Sequence, residues 1–236
     1  MRKAVALAVI LVAMLVVPAC AEDPEGSGGQ QAAEIPGSNV MPLPEPVRSG
    51  VISIEYVIDR RRSVREFNDD QVAIKDLGQL LWAAQGITGE DGFKRAAPSA
   101  GAKYPMEIFV VAGEVTWLGP GVYRYRPESH DLDLVKKGDF RQALSDEALS
   151  QEWVANAPLS IVITGVYERT MEKYGERGIR YVHIEAGAVA ENIYLQAAAL
   201  HLGTAYVGAF SDEGVQAILG VDDVAPLGIL PVGAPR

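Results

Sequence analysis

The sequence holds one cysteine, Cys20, so no disulfide can form within the chain. Histidine is almost as scarce: His130, His183 and His201 are scattered, which makes a zinc site a poor fit and leaves no metal assigned. No dinucleotide fingerprint, Walker A loop or zincin helix is present. Basic charge is short as well, with 21 Lys and Arg against 31 Asp and Glu and a net charge of −10, which argues against nucleic acid as a partner.

What is present suffices for one sizeable domain or two small ones, since 48% of the 236 residues are hydrophobic. Residues 1–20 read as an export signal, with a basic start at Arg2-Lys3 and an apolar run from Ala4 to Val17 too short for a comfortable permanent span. The run ends Val17-Pro18-Ala19-Cys20, which resembles a bacterial lipobox and implies lipidation of Cys20; an ordinary cleavage site or a tail anchor is the other reading. The expected location is the cell envelope, as an exported, membrane-anchored lipoprotein. Met1-Arg2-Lys3 lacks a twin-arginine pattern, so the expected route is Sec. Residues 21–47 are rich in Gly, Pro, Glu, Ser and Gln and read as a flexible tether, leaving 48–236 as the folded domain.

Within that domain, Ser53 caps a predicted helix to Arg61, and Asp70 a second helix with Ile74, Leu77, Leu81 and Ala84 on one face and Gly86 as its stop. Residues 87–97 read as a mobile loop. Strands are expected at 108–111 and 159–164, and a hairpin at 121–125 and 131–135, with His130 exposed in its turn. Short helices follow at 140–149 and 167–175. The longest helical signal runs from Tyr181 to Leu202, closed by Gly203. A strand at 204–208, a helix at 212–219 and a strand at 227–232 complete an α+β pattern with a mixed sheet.

Two stretches carry chemistry. Arg61-Arg62-Ser63-Val64-Arg65 packs three guanidinium groups and a hydroxyl where a helix gives out. Such a cluster can cradle a phosphate or merely complement a helix C-terminus. Ala97-Pro98-Ser99-Ala100-Gly101-Ala102-Lys103-Tyr104-Pro105 is a small-residue turn that lets a ligand approach the backbone.

Together with Gln151-Glu152-Trp153, Tyr174-Gly175-Glu176-Arg177-Gly178-Ile179-Arg180-Tyr181, Glu185-Ala186-Gly187, Asn192-Ile193-Tyr194 and Val207-Gly208-Ala209-Phe210, these stretches resemble the FMN-dependent nitroreductase superfamily. Within it they look like the SagB-type branch, which includes thiazoline and oxazoline oxidases. The resemblance implies an α/β/α sandwich, an obligate homodimer and FMN at the subunit interface. It assigns Arg61, Arg62, Ser63 and Arg65 to the phosphate and ribityl chain. Pro98, Ser99, Ala100 and Gly101 would line the flavin of the partner subunit, and the Gly208 and Ala209 N–H groups would face its N5 and O4 edge.

Lys103 stands where the branch has an apolar residue and adds a cation directed to flavin, substrate or solvent. Ala188 replaces a histidine often seen after Glu-x-Gly. Azoline oxidases use a Lys-Tyr pair, for which Arg180-Tyr181 is the nearest match; arginine cannot surrender its proton, so Tyr181 is the candidate base and Arg180 an electrostatic helper. Glu185 and Glu191 lie six residues apart, off one helical face, and do not form a carboxylate pair. The implied function is hydride transfer through flavin N5 to or from a small organic or peptide-derived substrate. The alternative is a flavin- or ligand-binding lipoprotein without turnover.

Overall fold

The computed structural model describes residues 39–90 and 92–236. The expected signal segment, Cys20 and the tether to residue 38 lie outside these residues. Residues 39–47, expected as tether, belong to the fold. Val40–Pro42 forms β1, and the Leu43 N–H donates to His130 O at 3.2 Å. The Gln79 side-chain amide then holds both the N–H and the C=O of Val47. The composition of this segment hid the pairing because the open edge of a sheet recruits backbone, not side chains.

The remaining elements are α1 (Ile54–Arg60), α2 (Ile74–Gln85), β2 (Met106–Ala112), β3 (Gly121–Arg126), β4 (Asp131–Lys137), α3 (Arg141–Glu147) and α4 (Glu152–Asn156). They continue with β5 (Leu159–Gly165), α5 (Tyr167–Tyr174), α6 (Arg177–Ala199), β6 (Gly203–Thr204), α7 (Asp212–Leu219) and β7 (Ala225–Gly233). One sheet runs β1-β4-β3-β2-β5-β7-β6. All pairings between these strands are antiparallel, and among the described residues parallel pairing enters only at the isolated bridges Ser63–Thr204 and Val72–Val115.

Helices cover both faces, which is why β5 is buried at all seven positions and reads as a continuous apolar run. Ile108 and Val110 of β2 join Leu77, Leu81, Val189 and Ile193 of α2 and α6 in one core. Phe109 and Val111 face the other way, onto Leu144, Val154, Val215 and Leu219. The α+β sandwich expected from sequence is therefore present.

Three local expectations change. Asp70 does not cap α2; its N–H is taken by Asn68 Oδ1, and the free Ile74 N–H finds Thr116 Oγ1 at 3.1 Å. The long helix begins at Arg177, four residues before Tyr181, and ends at Ala199, because His201 adopts φ 59° and turns the chain. His130 is half-buried rather than exposed, with Nδ1 2.9 Å from Tyr125 Oη and Nε2 3.0 Å from Pro44 O. Burial pushes its pKa below the usual histidine value.

Candidate functional site

α1 ends at Arg60, and the chain beyond it runs extended beside β6, with the Val64 N–H on Thr204 O at 2.9 Å. Gly203 makes that approach possible: a β-carbon there would lie 2.6 Å from Val64 Cβ. The three arginines then separate by role. Arg62 Nη1 donates to Asp59 O at 2.8 Å and to Arg61 O at 2.7 Å, so it satisfies carbonyls at the end of α1. Arg61 lies over Tyr194 at 5.1 Å from the ring centre, and Arg65 over Trp153 at 5.4 Å. Among the described residues none of the three has a carboxylate within 4.0 Å. Arg62 thus follows the helix-terminus reading, while Arg61 and Arg65 are held over aromatic rings instead.

Tyr194 and the start of α4 tie this segment to Gly208 and Ala209. Tyr194 Oη sits 3.4 Å from Ser63 Oγ and accepts the Tyr206 N–H at 2.7 Å. Beyond Tyr206, Val207 is pinned to Ile229 by hydrogen bonds in both directions. At the start of α4, Trp153 lies under Arg65 while Gln151 Nε2 reaches Ala209 O at 3.5 Å. Gly208 and Ala209 are exposed, and among the described residues their N–H groups have no acceptor. Two guanidinium groups, one hydroxyl and two free amide donors therefore share one surface, a donor set suited to an anion joined to a polar heterocycle.

The second small-residue stretch packs elsewhere, on α5 and α6. Gly101 (φ 59°), Ala102 (φ 53°) and Tyr104 (φ 45°) all have positive φ, so the backbone is held in a strained turn. A β-carbon on Gly101 would lie 2.6 Å from Tyr174 Oη and 2.9 Å from Lys173 Nζ. The Tyr174 ring meets Tyr181 edge-on at 5.1 Å, which places Tyr181 one ring behind the turn. Arg180 is exposed, and Pro98 is exposed on the turn. Lys103 is committed to Glu172 at 2.6 Å, a partly exposed pair that leaves its ammonium engaged. No hydrogen bond, ion pair or ring contact among the described residues joins this turn to the 61–65 segment.

Sequence reasoning gave two groups no role in the site. Lys173-Tyr174 is itself a Lys-Tyr dipeptide, and it touches the turn more closely than Arg180-Tyr181 does. Glu185 is 3% exposed on the inner face of α6, and burial pushes its carboxyl up to about 7 although Ser99, Gln85 and Arg95 each oppose the shift. Its spacing from Val182 and Val189, three and four residues away on the buried face, was the available signal.

The chain is similar to known proteins in sequence and in fold. The sequence pattern of the Nitroreductase family matches residues 58–234. A Methanocaldococcus jannaschii protein, MJ1384, provisionally named a nitroreductase, is 44% identical over 182 residues, covering 77% of this chain and 91% of that protein. The microcin B17-processing protein McbC of Escherichia coli is 27% identical over 165 residues, spanning 67% of this chain and 61% of McbC. Among solved structures, a provisionally named nitroreductase from Ralstonia eutropha superposes with TM-score 0.74 and 29% identity, covering 84% of this chain and 90% of that one. A chain of the E. coli microcin synthetase McbBCD complex, solved with truncated pro-MccB17 bound, gives TM-score 0.65 at 25% identity, covering 82% and 77%.

Proposed function

The chain belongs to the nitroreductase family, and from that premise we propose that it is an FMN-dependent oxidoreductase of SagB-like dehydrogenase type, acting on a small organic or peptide-derived substrate. The observation that carries the proposal is the combination of Arg61 and Arg65, without a carboxylate partner among the described residues, and the Gly208 and Ala209 N–H groups, without an acceptor among them. The residues present fit the cofactor: a dianionic phosphate suits the two guanidinium groups and Ser63, and a flavin edge suits the two amides. FMN bound there would supply two-electron hydride chemistry at N5.

The chain's own residues have three tasks. Arg61, Ser63 and Arg65 bind and orient the phosphate end, with the Tyr194 and Trp153 rings fixing the two guanidinium groups. The Gly208 and Ala209 amides stabilise negative charge on the ring edge. Tyr181 and Tyr174 are the candidates to hold or move a proton beside the turn, with Lys173 and Arg180 supplying positive charge. The 98–101 turn would close the site of a second copy, since it lies apart from the 61–65 segment of its own chain. Exposed Ile54, Ile58 and Ile184 on α1 and α6 favour such a homodimer.

The peptide-derived branch of the proposal leans on likeness to McbC and on the peptide-bound synthetase. Anchorage through a lipid on Cys20 is part of the same proposal; incorporation of labelled fatty acid, lost in Cys20→Ala, tests it. Outside the inner membrane soluble nicotinamide donors are scarce, which favours an organic donor with oxygen or a quinone as acceptor.

The deciding experiment is an absorption spectrum of purified protein reconstituted with FMN, followed by anaerobic titration with candidate donors. Bleaching by an organic donor or by NAD(P)H supports the enzyme. Bleaching by dithionite alone supports the flavin-binding lipoprotein, and a colourless protein after reconstitution overturns both.

A further inference from the structure

Beneath the 98–103 turn lies a cluster of buried polar groups that the proposed chemistry does not use. Both amide atoms of Gln85, Nε of Arg95 and Oε1 of Glu185 are buried without a hydrogen-bond partner. Such orphans are few in folded proteins, and three beside a carboxyl that has an orphan oxygen of its own mark a network able to rearrange. Gln85 comes from the last turn of α2, Arg95 and Ser99 from the segment after it, and Glu185 from α6. Ser99, Gln85 and the charge of Arg95 all bear on the Glu185 carboxyl, yet Oε1 stays unsatisfied.

Arg95 is shared between two acids. Its Nη2 lies 2.6 Å from Glu128 Oε1 at the surface, while its Nε is buried without a partner and its charge acts on the Glu185 carboxyl. The guanidinium also lies 5.0 Å from the centre of the Tyr104 ring, and the Tyr104 N–H donates to Ser99 Oγ at 2.9 Å. Arg95, Ser99 and Tyr104 thus bracket the turn, and Glu185 stands behind two of them.

We propose that Glu185 is a positioning residue that fixes the Pro98–Lys103 turn through Ser99 and Arg95, and so sets how the turn meets a flavin. The first part is a property of this chain alone; the second rests on the flavin reading above. As a neutral acid, Glu185 can donate one hydrogen bond, to Ser99 Oγ or Gln85 Oε1, and leaves Arg95 to Glu128. As a carboxylate it only accepts, and it draws in the Ser99 hydroxyl, Gln85 Nε2 and Arg95 Nε. Burial brings the carboxyl to about 7, so both arrangements occur near neutral pH.

Amide hydrogen exchange on the protein without flavin reads the turn directly, through the N–H groups of Ala102, Lys103 and Tyr104 that bond to Ser99 and Ala100. After correction for intrinsic rates, their protection should change severalfold in the wild type between about pH 6 and about pH 8. Glu185→Gln, which keeps the neutral hydrogen-bonding shape, should hold wild-type low-pH protection at both values. Glu185→Ala should lose protection by roughly tenfold at both. An equal pH response in wild type and the Gln variant overturns the proposal, and so does full protection in the Ala variant. FMN fluorescence titration of the same proteins tests the second part, with affinity expected to follow protection; unchanged affinity across the set overturns that part. Failure of the wild type to take up FMN sinks the flavin reading instead, while exchange still decides the role of Glu185.

Discussion

Arg61 rests on the ring of Tyr194, 5.1 Å from its centre, and the hydroxyl of that ring accepts the Tyr206 N–H two residues before Gly208. One aromatic side chain therefore sets the position of a cation and of the backbone that carries the free amides. Arg61→Ala combined with Arg65→Ala should weaken FMN binding by a few kcal/mol, since each charge-assisted contact is worth ~1.5–3 kcal/mol. Arg62→Ala should cost much less, because its guanidinium bonds carbonyls at the end of α1. Fluorescence titration checks both; flavin retention by the double variant at wild-type strength would remove the phosphate assignment.

Gly203 lets the 61–65 segment lie against β6. A methyl group there would press into Val64, 2.6 Å away, and push the 61–65 segment off β6. Gly203→Ala should destabilise the fold by about 1–3 kcal/mol, as overpacking does, and loosen FMN in parallel. Chemical denaturation gives the first number. A variant of wild-type stability would show that the two segments are not so closely apposed.

Tyr174 and Tyr181 stack edge to face behind Gly101, and the Tyr174 hydroxyl is at the turn, 2.6 Å from where a β-carbon on Gly101 would sit. If the proton is handled at the turn, Tyr174→Phe should lower kcat by about tenfold to a thousandfold, within the usual range for loss of a general acid or base, with FMN affinity retained. Tyr181→Phe should then lower it less. The reverse order in steady-state assays would return the role to Tyr181, as the sequence resemblance assigned it.

What the sequence revealed follows the physics of each element. The buried face of α2 was legible because burial imposes a period on side chains, which Leu77 and Leu81 obey, and β5 because burial on both faces leaves an unbroken apolar run. The start of α2 was not, because its free N–H is capped by Thr116, forty-two residues downstream and unknown to local pattern. β1 escaped notice for a similar reason: Val40–Pro42 is held by pairing with Asp131–Asp133, not by its own composition. In the site, the residue types of the basic cluster were visible but not their division of labour, since Arg61 and Arg62 differ only in what surrounds them. Glu185 was discounted for lacking a carboxylate partner on its own helix, whereas the groups that matter, Gln85, Arg95 and Ser99, arrive from other segments.

The buried carboxyl of Glu185 also predicts how stability varies with pH. Its folded value of about 7 lies above the 4.5 expected when unfolded, because burial penalises the charged form. Between these values the folded chain holds the proton more tightly than the unfolded chain, so stability falls as pH rises through this window and levels off above it. Each tenfold difference in proton affinity between the two states is worth ~1.4 kcal/mol, which makes the loss on the order of 3 kcal/mol. With only 3% of the residue exposed, solvent screens little of it. Glu185→Gln cannot ionise and should lose this slope, matching the wild type near pH 5 and exceeding it by up to roughly 3 kcal/mol near pH 8. Denaturation midpoints at the two pH values measure the difference, and all other titrating groups cancel in the comparison. Parallel pH profiles for the two proteins would mean that the carboxyl ionises freely in the folded chain and that its burial imposes no such cost.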